Sequence, residues 1–201
     1  MMADIKKITL ERRDVVAQIL KPRGDALVVT GLGAPTWDAA ATGDHPLNFY
    51  LWGAMGGAAM IGLGLALAQP RRRVLVITGD GEMLMGLGSL ATIGVRQPRN
   101  LAIIVLDNEH YGETGMQETH TRRGVDLAGI AKAARCKSAA TIYTASQLKT
   151  WVPRLYRERG PLFAAIKITT RQEPIVLPLR DGAQIKNRFR EALLGAKEAF
   201  T

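Results

Sequence analysis

Two short runs in this chain carry residue types fit for chemistry. Gly79-Asp80-Gly81 places one carboxylate between two residues without side chains, directly after the β-type run 74–78 and directly before a helical pattern. Asp107-Asn108 follows a second apolar run, 101–106. Asp80 and Asn108 are 28 positions apart, room for one helix and one strand, so their side chains can meet between neighbouring strand ends. A carboxylate beside an amide oxygen suits Mg²⁺, a hard cation that keeps water and phosphate oxygens in its remaining positions. The free amide hydrogens where a helix opens at Gly81 favour a phosphate. Gly-Asp-Gly alone is equally the chemistry of a tight turn. The second loop is what turns it into a candidate site.

The elements that must hold these loops follow from periodicity and punctuation. Apolar groups at helical spacing over 8–20 stop at Lys21-Pro22-Arg23-Gly24, and a β-type run, 26–29, ends in Thr30-Gly31-Leu32-Gly33. A long Gly/Ala helix is predicted from there to about Ala68, where Gln69-Pro70 breaks it. The run 74–78 reads as a buried parallel strand, 82–95 as a helix, and 101–106 as a second buried strand. Helix 127–135, strand 138–143, helix 145–158 and strand 162–168 continue the alternation. Alternation of this kind implies parallel strands joined by right-handed crossovers. The fold class expected is α/β: a three-layer, doubly wound, mostly parallel sheet with helices on both faces. With no break in composition, residues 1–201 read as one domain with a basic, helical C-terminal tail from about Arg180. Ligands in such a sheet bind at the carboxyl ends of the strands, so loops 30–35, 79–82 and 107–112 should share one crevice.

Composition narrows the partners. The 201 residues are 47% hydrophobic, enough for a core, and 5% aromatic with 21 glycines, which favours α/β packing over an all-β sandwich. The single Cys136 can form no internal disulfide and no zinc knuckle, consistent with a cytoplasmic chain, and reads as a small buried residue. A net charge of +9 points to an anionic partner. The basic clusters lack interleaved aromatic residues for base stacking, so nucleic acid is not expected. Residues 51–68 hold no charge, but five glycines and five alanines among these eighteen fit a helix buried against a sheet better than a membrane span. No membrane association is expected.

Gly79-Asp80-Gly81, 25 intervening residues and then Asp107-Asn108 resembles the thiamine diphosphate motif of 2-oxoacid decarboxylases and acetolactate synthases. Gly53-Ala54-Met55-Gly56 resembles the segment in which that family places the large apolar residue that bends the cofactor. Asn48-Phe49-Tyr50 and Tyr111-Gly112-Glu113-Thr114-Gly115 are similar to the branch of sulfopyruvate decarboxylase β subunits and phosphonopyruvate decarboxylases.

The resemblance implies a thiamine diphosphate-binding fold over roughly 27–190, with thiamine diphosphate and Mg²⁺ as cofactors. Asp80, the side chain of Asn108 and the backbone carbonyl of His110 would hold Mg²⁺. Gly79, Gly81, Glu82, Tyr111, Gly112 and the loop Gly33, Ala34, Pro35 and Thr36 would surround the diphosphate. Glu82 departs from the small hydroxyl residue usual at its position, and its carboxylate must point away from the diphosphate. Met55 would support the bent cofactor, and the carbonyl of Gly53 and amide of Met55 would bond its aminopyrimidine. The activity implied is decarboxylation of a small anionic 2-oxo acid to an aldehyde and CO₂, sulfopyruvate foremost, with phosphonopyruvate, an acetolactate-synthase-like carboligation or a non-enzymatic interaction module as alternatives. The family needs an activating Glu from a pyrimidine-binding domain, for which this length leaves no room. A pyrimidine-binding α subunit carrying that Glu, in an α2β2 or larger assembly, is therefore expected.

Side chains near the metal loop divide between chemistry and plain solvation. His110 and His120 are the candidate catalytic groups, as proton donors at the reacting carbon or as contacts to the acid substrate. Gln117, His120 and Thr121 fit the branch's pattern, except that Met116 stands where glycine is usual. Arg122 and Arg123 suit a sulfonate or phosphonate tail, or are a solvated basic loop. Glu109 and Glu113 read as exposed loop carboxylates rather than an acid/base pair. Trp37 and Trp52 are expected to pack near cofactor or partner.

Overall fold

The computed structural model describes residues 8–199. Its centre is a six-stranded sheet, all parallel, ordered β2-β1-β3-β4-β8-β7. In chain order the elements begin with α1 (Arg12–Leu20), β1 (Leu27–Thr30), α2 (Ala34–Ala41), β2 (Asn48–Tyr50), α3 (Ala58–Ala68) and β3 (Val74–Gly79). Next come α4 (Asp80–Met85), α5 (Ser89–Arg96), β4 (Leu101–Asp107) and a small antiparallel hairpin, β5 (His110–Tyr111) with β6 (Gln117–Glu118). A 3-10 turn (His120–Arg123), α6 (Leu127–Ala133), β7 (Ser138–Ile142), α7 (Ala145–Arg157), β8 (Leu162–Lys167) and α8 (Gly182–Leu194) complete it.

Every residue of β4 and β8 is buried, which is why both strands read as unbroken apolar runs. Alternate strand residues feed two cores. Val28, Leu75, Ile77 and Ile104 face α1 and α7, where Val16, Ile19 and Trp151 meet them. Val29, Val76, Ile103 and Val105 face α3, α5 and α6. The α3 face can come close because Gly62 carries no side chain: a Cβ there would lie 2.2 Å from Val76 Cγ2. That closeness explains the Gly/Ala composition of the uncharged stretch. No helix among the described residues is long and apolar enough to cross a membrane.

Two expected elements are subdivided. The long helix ending at Ala68 is α2, edge strand β2 and the eleven-residue α3, because Gly43 at φ 107° closes α2 and β2 then pairs with β1. The asparagine Asn48 at the head of β2 is pinned by Arg23 and by the Tyr50 hydroxyl. The helix over 82–95 breaks into α4 and α5 at Gly86, whose amide region lies against Gly56: a Cβ on Gly86 would come within 2.2 Å of the Gly56 carbonyl oxygen. The C-terminal helix α8 docks on the β2 edge, with Phe189 set edge-to-face on Phe49 at 5.7 Å, and so covers an otherwise open strand.

The chain starts at β1, moves out to β2, then returns past β1 to β3, so the strand order reverses between β1 and β3. A crevice opens where the carboxyl ends of strands part at such a reversal.

Candidate functional site

The loop after β1 is locked from within. Thr36 Oγ1 lies 2.6 Å from Thr30 Oγ1 and donates to the Gly31 carbonyl at 2.8 Å. Thr36 is wholly buried, and its hydroxyl shapes the turn that sets Ala34 and Pro35 at the start of α2. Gly33 has φ 75°, a left-handed geometry, and a Cβ there would strike the Glu113 carboxylate.

Asp80 is the first residue of α4, placed by the strand-to-helix turn at Gly79, and is 2% exposed. Its Oδ2 accepts from Thr119 Oγ1 at 2.5 Å, and Thr121 Oγ1 donates to Asp107 Oδ1 at 2.8 Å. Burial, and after it the neighbouring Asp107, pushes the Asp80 carboxyl up to about 6. The Lys167 ammonium, from the end of β8, bridges Asp107 at 2.8 Å and Glu109 at 2.7 Å. Burial pulls Lys167 down, but these two carboxylates outweigh it and leave it above the usual lysine range. Lysine 167 is thus committed to Asp107 and Glu109, and Asp80 keeps a surplus of negative charge. A divalent cation relieves that surplus, so the donor set fits Mg²⁺.

The Asn108 loop turns back through Glu109 at φ 65°. Asn108 Oδ1 accepts from the His110 amide at 3.0 Å, and His110 Nδ1 sits 2.8 Å from the Asn108 carbonyl, so the ring is held through Nδ1. The Tyr111 ring lies over Gly81, where a Cβ would be 2.6 Å from ring Cε1. Met116 adopts φ 62°, a conformation that favours glycine, so the methionine that replaces the usual glycine is held in glycine's geometry.

The crevice measures about 460 Å³, within the range of small-molecule sites. From the expected set, Ala34 and Pro35 line it from the first loop and Met55 from the loop before α3. Gly79, Asp80, Gly81 and Glu82 line it from the β3–α4 turn, and Asn108, His110, Tyr111 and Gly112 from the third loop. Gly33, Thr36 and Gly53, also in the expected set, are not among the residues that line it. The Glu82 carboxylate is taken by the Thr78 hydroxyl at 2.8 Å and by the Ala58 amide, with the Gly56 and Leu32 amides also bonded to it. It ties the β1–α2 loop and the loop before α3 to the β3–α4 turn, and Gly31 suits its position because a Cβ there would overlap Glu82 Oε2.

Other residues fall elsewhere. His120 is exposed at the start of the 3-10 turn and does not line the crevice. Arg122 and Arg123, both exposed, pair with Glu109 and Glu118 at 3.1 and 2.6 Å and lie outside the crevice lining. Glu109 is correspondingly a half-buried ion-pair member rather than an exposed loop carboxylate. Trp52 donates to the Leu179 carbonyl at 2.9 Å. Cys136 is buried, and burial pushes its thiol up to about 11. Sequence reasoning missed Arg12, Thr119 and Lys167. A lysine ending an otherwise apolar strand was the visible signal for the last.

The doubly wound parallel sheet with these three loops at its point of reversal defines an α/β domain of the thiamine diphosphate-binding type. Residues 32–166 match the thiamine pyrophosphate enzyme, C-terminal TPP binding domain, and the chain belongs to that family. It is 43% identical over 123 residues to sulfopyruvate decarboxylase subunit beta of Methanocaldococcus jannaschii, a match covering 61% of this chain and 65% of that subunit. The subunit beta of Methanothermobacter thermautotrophicus is 35% identical over 189 residues, 94% of this chain and 98% of the relative. The phosphonopyruvate decarboxylase of Streptomyces viridochromogenes is 36% identical over 167 residues, 83% of this chain but 42% of the relative. Benzoylformate decarboxylase from Polynucleobacter necessarius shares the fold at TM-score 0.70 and 17% identity, over 87% of this chain and 36% of that one.

Proposed function

We propose that this chain is the cofactor-binding β subunit of a thiamine diphosphate- and Mg²⁺-dependent decarboxylase acting on a small anionic 2-oxo acid, with sulfopyruvate the leading substrate. The observation that carries the reading is the meeting of Asp80, Asn108 and the start of α4 in one crevice that has a surplus of negative charge. Similarity to two sulfopyruvate decarboxylase β subunits supports the substrate class.

In this reading Asp80, Asn108 and the His110 carbonyl hold the metal, and Gly81, Tyr111 and Gly112 approach the diphosphate. Thr119 orients Asp80 through the hydroxyl bond at 2.5 Å. Met55 supports the cofactor's bend. When bound, thiamine diphosphate supplies the electron sink that lets a 2-oxo acid lose CO₂. His110, its Nδ1 tied to the Asn108 carbonyl, exchanges a proton with the reacting carbon through Nε2.

The crevice lining includes the exposed Met55 and Met85, a surface suited to being covered by a second chain. That second chain is the pyrimidine-binding α subunit, which brings the activating Glu; an α2β2 or larger assembly follows. The subunit beta names of the relatives support a partner.

Native mass spectrometry of the chain purified with Mg²⁺ and thiamine diphosphate from its own host tests this. A partner and the cofactor's mass are expected, with sulfoacetaldehyde and CO₂ formed from sulfopyruvate and no turnover after Asp80→Ala. Retained Mg²⁺-dependent turnover by Asp80→Ala, or a coupled hydroxyketone as product, would overturn the reading.

A further inference from the structure

The thiamine diphosphate reading assigns the metal end of the crevice but leaves its other end without a cation. Among the residues lining the crevice, Arg12 is the one lysine or arginine; the ionisable remainder is acidic apart from His110. Arg12 lies outside every motif of the chain. It opens α1, whose N-terminus points to the carboxyl side of the sheet because α1 runs antiparallel to the β1 that follows it.

The guanidinium is built in rather than solvated. Arg12 is 6% exposed, yet its Nε and Nη2 have no hydrogen-bond acceptor in the protein. Its Nε stands 3.4 Å from Asp38 Oδ2, close enough for charge attraction, while Asp38 Oδ1 is taken by Arg13 at 3.1 Å. Buried donors left unmet are costly, and a native chain retains them where an acceptor arrives.

The chain itself shows what kind of acceptor suits this end. The β1–α2 loop presents Ala34 and Pro35, neither with a polar side chain, and Pro35 has no N–H. The Ala34 amide at the start of α2 bonds the Glu113 carboxylate, which also lies in the field of Arg12. An anionic group therefore already occupies the corner formed by the α2 N-terminus and Arg12. Glu113 is an exposed side chain on a hairpin loop, so it can leave.

A thiamine diphosphate carries roughly three negative charges, about two of them on the terminal phosphate. A divalent metal held by the Asp80 carboxylate and Asn108 has about one positive charge left to set against them. We infer that Arg12 is the second cationic pole of the site: with the Ala34 amide it takes the terminal phosphate of thiamine diphosphate, displacing Glu113. Arg12 thereby selects a diphosphate over a monophosphate, and Asp38 and Arg13 position it.

This rests on the cofactor reading, and the test separates the two. The full-length chain is titrated with thiamine diphosphate and with thiamine monophosphate at fixed Mg²⁺, by calorimetry and tryptophan fluorescence, as wild type, Arg12→Gln and Glu113→Gln. Arg12→Gln should weaken thiamine diphosphate by about 10- to 100-fold, the range for a lost charged hydrogen bond, and leave thiamine monophosphate within about twofold. Glu113→Gln should bind thiamine diphosphate several-fold more tightly, and this arm stands if Arg12→Gln does not fold. Arg12→Gln that binds thiamine diphosphate as wild type does, or weakens both ligands equally, overturns the inference while the cofactor reading survives. Unchanged or weaker binding by Glu113→Gln overturns it too. A wild-type chain that takes up neither ligand at millimolar concentration overturns the cofactor reading itself.

Discussion

Asp80→Asn should stabilise the metal-free protein above pH 7 while removing its response to Mg²⁺. Asp80 is 2% exposed and its carboxyl is raised from an ordinary 3.8 to about 6, first by burial and then by Asp107. A carboxyl raised in the folded state is protonated there while its unfolded counterpart is already ionised, so folding loses stability as pH rises between the two values. The gap, at ~1.4 kcal/mol per pH unit, amounts to about 3 kcal/mol, fully felt above pH 7 and absent below pH 4. The neutral amide escapes this cost and can still accept the Thr119 hydroxyl through its oxygen. For a chain of this size that is a rise in Tm of about 6–12 °C. Thermal unfolding followed by circular dichroism in EDTA, from pH 4 to pH 8, measures it. Adding Mg²⁺ with thiamine diphosphate should raise the wild-type Tm by mass action and leave the variant unmoved. A variant less stable than wild type at pH 8, or a difference that does not grow from pH 4 to pH 7, would refute the electrostatic reasoning.

Three further substitutions test the frame around the site. Gly81→Ala sets a Cβ against the Tyr111 ring, so cofactor binding measured by calorimetry should fall at least tenfold with the fold retained. Gly94→Ala places a Cβ 1.6 Å from the Ala134 carbonyl oxygen, a backbone atom that cannot swing aside, and should cost about 3 kcal/mol or more in urea unfolding. Lys167→Met leaves the buried Asp107 carboxylate without its cation, while Glu109 keeps Arg122; a loss of about 3–5 kcal/mol is expected in urea unfolding at neutral pH.

The strands that deliver the site were plain in the sequence because 74–77 and 101–106 are uninterrupted apolar runs, as a sheet covered on both faces demands. The Gly79-Asp80-Gly81 and Asp107-Asn108 loops were legible for the same reason: polar residues stand out sharply at the end of such runs. Strand β2 was hidden, since Asn48-Phe49-Tyr50 is three residues long and gains its strand character from pairing with β1. Glu82 shows the other limit. Its identity raised a conflict with a diphosphate, and only the amides of Leu32, Gly56 and Ala58, far apart in sequence, reveal where the charge goes. Arg12 could not be read at all, because a basic residue at a helix start gives no sign of whether it meets solvent or is enclosed.

The contact between Gly56 and Gly86 joins the loop that carries Met55 to the bend after the helix that carries Asp80. Gly56 sits at φ 90°, and a Cβ on either residue would enter the other's backbone. The spacing between the Met55 loop and the helix that carries Asp80 is thus gauged by two peptide planes in contact, with no side chain between them to yield. For anyone redesigning the site to hold a longer or shorter cofactor analogue, this pair is the adjusting screw: widening the gap requires changing both positions together, and either change alone forces the two loops apart.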